Sequence, residues 1–275
     1  MDAKAPSKAK TRYQQRPKVL YIADSIGNNI EFPKVETELK CVIKTAKVTR
    51  GPGNNLTEVV KDELDKKPYD CLVLNAPTAD ITNLDTSNHT QNHDTSILQQ
   101  KVLSSCENIF RVASSAIENN SDLKKVVIME HTPRYDTKEL DPVGIKPVLA
   151  NYANNVLNQF VLDSNLKHKI SIGRHSLEAS DASHDDIFKN VEDGKYDGVH
   201  HYGRLGRKLI SRSLMNILRK NINTWDKPDQ PHSYQPYIYH KEHCPQALYQ
   251  KRQKYEATVK VSNRFSVFNS NQGNL

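Results

Sequence analysis

No apolar run in this sequence approaches the length needed to span a bilayer, and no apolar h-region of the secretory kind stands near its start. Those two absences lead to the expectation of a soluble, cytoplasmic protein with no membrane partner. Cysteine is sparse: Cys41, Cys71, Cys106 and Cys244 are far apart, so a disulfide framework is not expected. Reduced, buried thiols fit better, because Cys41 and Cys71 sit in apolar, strand-like runs. No internal repeat is visible, which argues against solenoids and propellers. A basic surplus is missing from the middle of the chain. The net charge is +7, but residues 1–19 carry about +5 and residues 223–275 about +3, which leaves the middle near −1. This charge distribution argues against a basic face built into the folded core, while the ends remain available to an acidic partner.

What is present is enough for one large domain. The chain has 275 residues, of which 36% are hydrophobic and 26% charged. From Val19 a rhythm begins. "VLYIAD" (19–24), "KCVIKTAKVT" (40–49), "DCLVLNAP" (70–77), "KKVVIME" (124–130) and "HKISIG" (168–173) read as strands. Between them lie amphipathic helical patterns. Residues 56–67 place Leu56, Val59, Val60 and Leu64 on one stripe, and residues 95–118 do so with Leu98, Val102, Cys106, Ile109, Ala113 and Ile117. Residues 143–162 and 203–222 follow the same period, the last with Leu205, Leu209, Leu214, Ile217 and Leu218 inward. Strands alternating with helices predict an α/β fold: a three-layer α/β/α sandwich around a five-stranded, mostly parallel sheet. The predicted organisation is a disordered basic leader (1–17), a folded domain (18–222) and an extended or disordered Tyr/Pro-rich basic tail (223–275). In such sheets the site lies at the carboxyl ends of the strands.

Two places there carry chemistry. The first strand ends in Asp24 and Ser25, with Gly27 close behind. A serine at a strand-to-helix turn can present its hydroxyl beside backbone N–H groups that stabilise a developing oxyanion, provided a base activates it. The plain alternative is that Asp24 or Ser25 merely caps a helix. The second place is "YDGVHHYGRLG" (196–206), directly before the last helix, where Asp197 precedes His200 by three residues. A carboxylate so placed can bond the ring N–H, fix its tautomer and stabilise the imidazolium. Other clusters carry less. His89 and His93 have metal-ligand spacing, and His240, His243 and Cys244 lie together, but neither set has enough further ligands; no metal is expected.

The pair of motifs resembles the SGNH/GDSL hydrolase superfamily over roughly residues 18–222. "IADSIGNN" resembles its Gly-Asp-Ser block, with Ala23 in place of the glycine, and "DGVH" resembles its Asp-x-x-His block. The resemblance implies the flavodoxin-like SGNH fold, with Ser25 as nucleophile, His200 as general base and acid, and Asp197 as its orienter. It also implies an oxyanion hole from the N–H groups of Ser25 and Gly53, the latter within "RGPGNNL". "EHTPRYD" (130–136) echoes the family's proline-bearing stretch after strand four. No cofactor is implied, and the substrate is a small ester. The departure is in the third block. "LNAPTADITNLD" puts Ala79 where the family has an asparagine donor, beside Asp80. Asn75 and Asn83 are nearby amides, but neither has the family position. Asp24, Asp80 and Asn83 are therefore neighbours to inspect.

Two functions stay open at this stage. One is an esterase using a Ser-His-Asp triad weakened by the missing donor. The other is a catalytically degenerate SGNH-fold module that binds nucleic acid, with RNA favoured, through its basic ends and tyrosine-rich tail.

Overall fold

The computed structural model describes residues 16–48, 55–75, 81–86, 95–132, 141, 144–175, 184–190, 192, 194–196 and 198–224. Five strands form one sheet: β1 (Lys18–Ala23), β2 (Val42–Lys47), β3 (Cys71–Asn75), β4 (Lys125–Met129) and β5 (Ile170–Gly173). Their order is β2-β1-β3-β4-β5, and every pairing is parallel. The three inner strands are near-continuous apolar runs because helices cover both of their faces. Alternate residues divide between those faces. Leu20, Ile22, Leu72, Leu74, Val126 and Ile128 pack beneath α2 (Leu56–Lys66), α3 (Ser96–Asn119) and α4 (Lys146–Asp163). Val19, Tyr21, Cys71, Val73, Val127 and Met129 face α1 (Phe32–Leu39) and α6 (Arg204–Thr224). These are the three layers expected. A short helix, α5 (His184–Phe188), packs against α6.

Edge strand β2 is the exception to apolar continuity. It is exposed along much of its length, and Lys44 and Lys47 project from it, as suits an unpaired sheet edge. Three elements escaped the sequence reading. Helix α1 buries only Val35 and carries Pro33 in its first turn, so no apolar stripe announces it. Helix α5 and the 3₁₀ turn Ser25–Asn29 are each five residues long, too short for any period to show. In α6 the expected Leu209, Leu214, Ile217 and Leu218 are buried and Ile210 joins them, while the expected Leu205 is only partly buried. The helix also continues two residues beyond the expected 222, to Thr224. Cys41, Cys71 and Cys106 are buried, and none forms a disulfide among the described residues. Burial pushes the Cys71 thiol up to about 12, so it stays protonated and unreactive.

The strand order fixes where a site can form. The chain leaves β1 for β2 on one side and returns to β3 on the other. In a parallel sheet of this order the carboxyl rim between β1 and β3 is the place where a binding crevice forms.

Candidate active site

Ser25 stands at that crevice. β1 ends at Ala23; the Asp24 N–H donates to the Asn75 carbonyl (3.4 Å), and the 3₁₀ turn begins at Ser25. The turn folds back over the strand end because residue 27 is glycine. A Cβ there would lie 2.6 Å from the Ala23 Cβ and 3.1 Å from the Tyr21 ring. The Gly27 N–H donates to the Asp24 carbonyl (3.2 Å), closing the turn.

His200 arrives from the other end of the domain. Gly198 takes a left-handed conformation (φ 69°), Val199 is buried, and His200 is 8% exposed just before α6. Its Nε2 lies 2.7 Å from Ser25 Oγ, across 175 residues of sequence. The Ser25 hydroxyl is thus bonded to an imidazole. The Tyr202 ring stacks on that imidazole, with centroids 5.1 Å apart and planes at 20°, and the Tyr202 N–H donates to the His200 carbonyl (2.9 Å). Arg207 Nε in turn donates to the Tyr202 carbonyl (3.0 Å).

Both halves of the pair are braced. The Glu31 N–H, just beyond the Ser25 turn, donates to Ser211 Oγ on α6 (2.9 Å), and that hydroxyl donates to the Arg207 carbonyl (2.7 Å). The segment carrying the serine and the helix following the histidine are therefore tied directly. Beneath the turn, Asn75 Nδ2 donates to the Tyr21 hydroxyl (2.6 Å), and burial holds the Tyr21 phenol protonated far above its ordinary range. Asn75, one of the two amides considered as replacement donors, is committed to this bond. The other, Asn83, is exposed. Asp24 is buried. Asp197, Gly53, Ala79 and Asp80 lie outside the described residues, as do His89, His93, His240, His243 and Cys244. Among the described residues no group of three acids, histidines or cysteines is placed to hold a metal. No helix among them is long and apolar enough to cross a membrane.

The sequence reading missed a second polar group on the same rim, after β4 and β5. Glu130 is buried beside the Arg174 guanidinium, with Oε1 3.4 Å from Nε. Burial raises its carboxyl to about 7, against the opposing pull of Arg174. Burial drives the His175 imidazole down to about 4. Next to them, the His131 N–H donates to Asn154 Oδ1 (2.7 Å), tying the end of β4 to α4. The stretch from Glu130 to Asp136 stands out in sequence only for its proline, and nothing in it or around His175 marks a shifted protonation, which comes mainly from burial.

The two shifts make opposite demands on stability. His175 binds its proton more readily when unfolded, so its contribution weakens as pH falls from about 6.5 to about 4. Glu130 holds its proton more readily when folded, so its contribution weakens as pH rises from about 4.5 to about 7. Each is worth about 3 kcal/mol, and over the shared window they offset. Urea unfolding at pH 4.5 and pH 7 should therefore separate the variants. Glu130→Gln should lose stability towards acid relative to wild type, and His175→Gln should lose it towards neutrality. Parallel pH profiles for both variants would refute the assignment.

No protein-family model matches the sequence, and no curated protein matches it. Solved structures do match. The psychrotrophic esterase EstA from Pseudoalteromonas sp. is 12% identical over 75% of this chain and 98% of its own, with a TM-score of 0.50. A DUF4886 family protein from Bacteroides uniformis is 10% identical over 90% and 96%, with a TM-score of 0.50. The C-terminal catalytic domain of peptidoglycan O-acetyltransferase A from Streptococcus pneumoniae is 14% identical over 76% and 96%, with a TM-score of 0.46. At such identities the likeness concerns the fold.

Proposed function

We propose that this chain, which carries the SGNH/GDSL hydrolase fold, is a serine esterase acting through Ser25 and His200. The observation that carries the reading is the 2.7 Å approach of Ser25 Oγ to His200 Nε2 in the crevice between β1 and β3. An unprotonated Nε2 accepts the serine proton as Oγ attacks the ester carbonyl carbon. The resulting oxyanion is stabilised by the N–H of Ser25 and, as the family resemblance implies, that of Gly53. The protonated Nε2 then donates to the departing alkoxide, leaving an acyl-serine. Water attacks this acyl group, with His200 again as base, and the acid is released. Asp197, by the same resemblance, holds the Nδ1–H. Tyr202, stacked on the ring, limits its rotation and favours the imidazolium.

Fold likeness to EstA, solved in a form inhibited by monoethylphosphonate, suggests the probe. A fluorophosphonate should label the purified protein on the peptide containing Ser25, and the label should vanish in Ser25→Ala. A label on another residue, or none, would refute the reading. The alternative of an RNA-binding module rests on the basic leader and tail. Most of the first (residues 1–15) and nearly all of the second (225–275) lie outside the described residues, and nothing described favours that reading.

A further inference from the structure

A cavity of about 670 Å³ opens beside the first turn and a half of α6. One wall is the end of α5 and the turn after it, with Asp186, Lys189 and Asn190. The other is the start of α6, with Gly203, Arg204 and Lys208. Arg204 follows His200 by four residues, and His200 touches the serine at the end of β1. The helix start that forms one wall of the cavity therefore follows directly on the segment that carries His200 to Ser25.

Its charge departs from what the sequence suggested. The middle of the chain is near neutral overall, yet among the described residues lining the cavity three cations stand with one carboxylate.

Folding energy does not account for that placement. Arg204 and Lys208 are both exposed, and neither forms an ion pair among the described residues. They lie four residues apart on one helix, where like charges repel by a few tenths of a kcal/mol. Arg204 also occupies the first turn of the helix, where the backbone dipole disfavours a cation, and no acid stands in that turn to offset it. An anion seated between these side chains would offset both terms. Two cations on one helix face and a third from a separate segment converge on a space large enough for a small-molecule group.

We propose that this cavity binds an anionic group, phosphate or carboxylate, carried by the ester that Ser25 attacks. The assignment of that group to the substrate rests on the esterase reading above; the existence of an anion site does not. Calorimetric titration with inorganic pyrophosphate compares the full chain with the Arg204→Gln/Lys208→Gln variant, so the basic ends contribute equally to both. Binding should weaken at least tenfold in the variant, whose fold is verified by circular dichroism. Equal binding overturns the site. A second arm compares deacetylation of 4-acetoxybenzoate with that of the neutral 4-acetoxybenzamide. The ratio of their kcat/KM values should exceed ten in wild type and fall towards one in the variant. Weakened pyrophosphate binding with an unchanged ratio would overturn the substrate assignment and identify a site for a free anion. Weakened binding with neither ester cleaved by wild type would refute the esterase reading and uphold the anion site.

Discussion

Ser25→Ala should lower kcat/KM for an activated acetyl ester such as 4-nitrophenyl acetate by about 10³–10⁴-fold. The estimate comes from two opposed terms. Losing the serine of a complete triad costs about 10⁶ in a serine hydrolase. An oxyanion hole without its side-chain donor starts about 10²–10³ lower, so less catalysis is available to lose. By the family resemblance that missing donor is the asparagine replaced by Ala79; Asn75 is buried, with its amide nitrogen bonded to the Tyr21 hydroxyl beneath the turn. The remaining factor corresponds to about 4–5 kcal/mol of transition-state stabilisation. On the proposed esterase reading, Ser25 and His200 act as one unit through their 2.7 Å contact. His200→Gln should therefore cost about as much as Ser25→Ala, and the double variant little more than either single. Independent, multiplying losses in the double variant would mean that the two residues do not share a proton transfer. A Ser25→Ala rate within tenfold of wild type would remove Ser25 from the mechanism altogether.

The largest effect on stability is expected at Gly203. A Cβ there would run into the Asp186 carbonyl oxygen and lie 2.6 Å from its carbon and 3.0 Å from the Ile187 carbonyl carbon. All three obstacles are backbone, so no side chain can rotate aside. The Gly203 N–H also donates to the Ile187 carbonyl (3.0 Å), which fixes the close approach from both directions. Gly203→Ala must push α5 away from the start of α6, at an expected cost of about 3 kcal/mol in urea unfolding. Activity should fall more than stability predicts. The displaced backbone adjoins the turn that aims His200, and a misplacement of about 1 Å can cost about a hundredfold. Gly194→Ala serves as the contrast. Its φ is 69°, but nothing lies within 4 Å of the added Cβ, so only conformational strain of about 1 kcal/mol applies. Equal losses at the two positions would contradict the packing described between α5 and α6.

Much of the architecture was legible because burial leaves a local trace. β1, β3 and β4 are apolar runs since both of their faces are covered, and the stripe from Leu98 to Ile117 on α3 keeps the helical period over its whole length. Where the trace is short or absent, the reading failed. Helix α1 contributes a single buried residue, and α5 and the 3₁₀ turn end before a period can repeat. Leu205 shows a further limit: it fits the period of α6, but it stands where the helix passes the cavity and not the sheet. Glu130 and His175 carry no sequence signal of their shifted protonation, because it arises mainly from burial.

The alternation of strands and helices, and with it the layered fold, follows from the order of residues alone. That order also singles out Ser25 and His200 as residue types in suggestive settings, because turn chemistry and motif spacing are properties of neighbours along the chain. The strand order β2-β1-β3-β4-β5 and the contact between Ser25 and His200 emerge only once the chain is folded. Periodicity records how each segment meets the core but not which segment lies beside it. That choice is made by packing between elements far apart in sequence, and it is the choice that sets a hydroxyl against an imidazole.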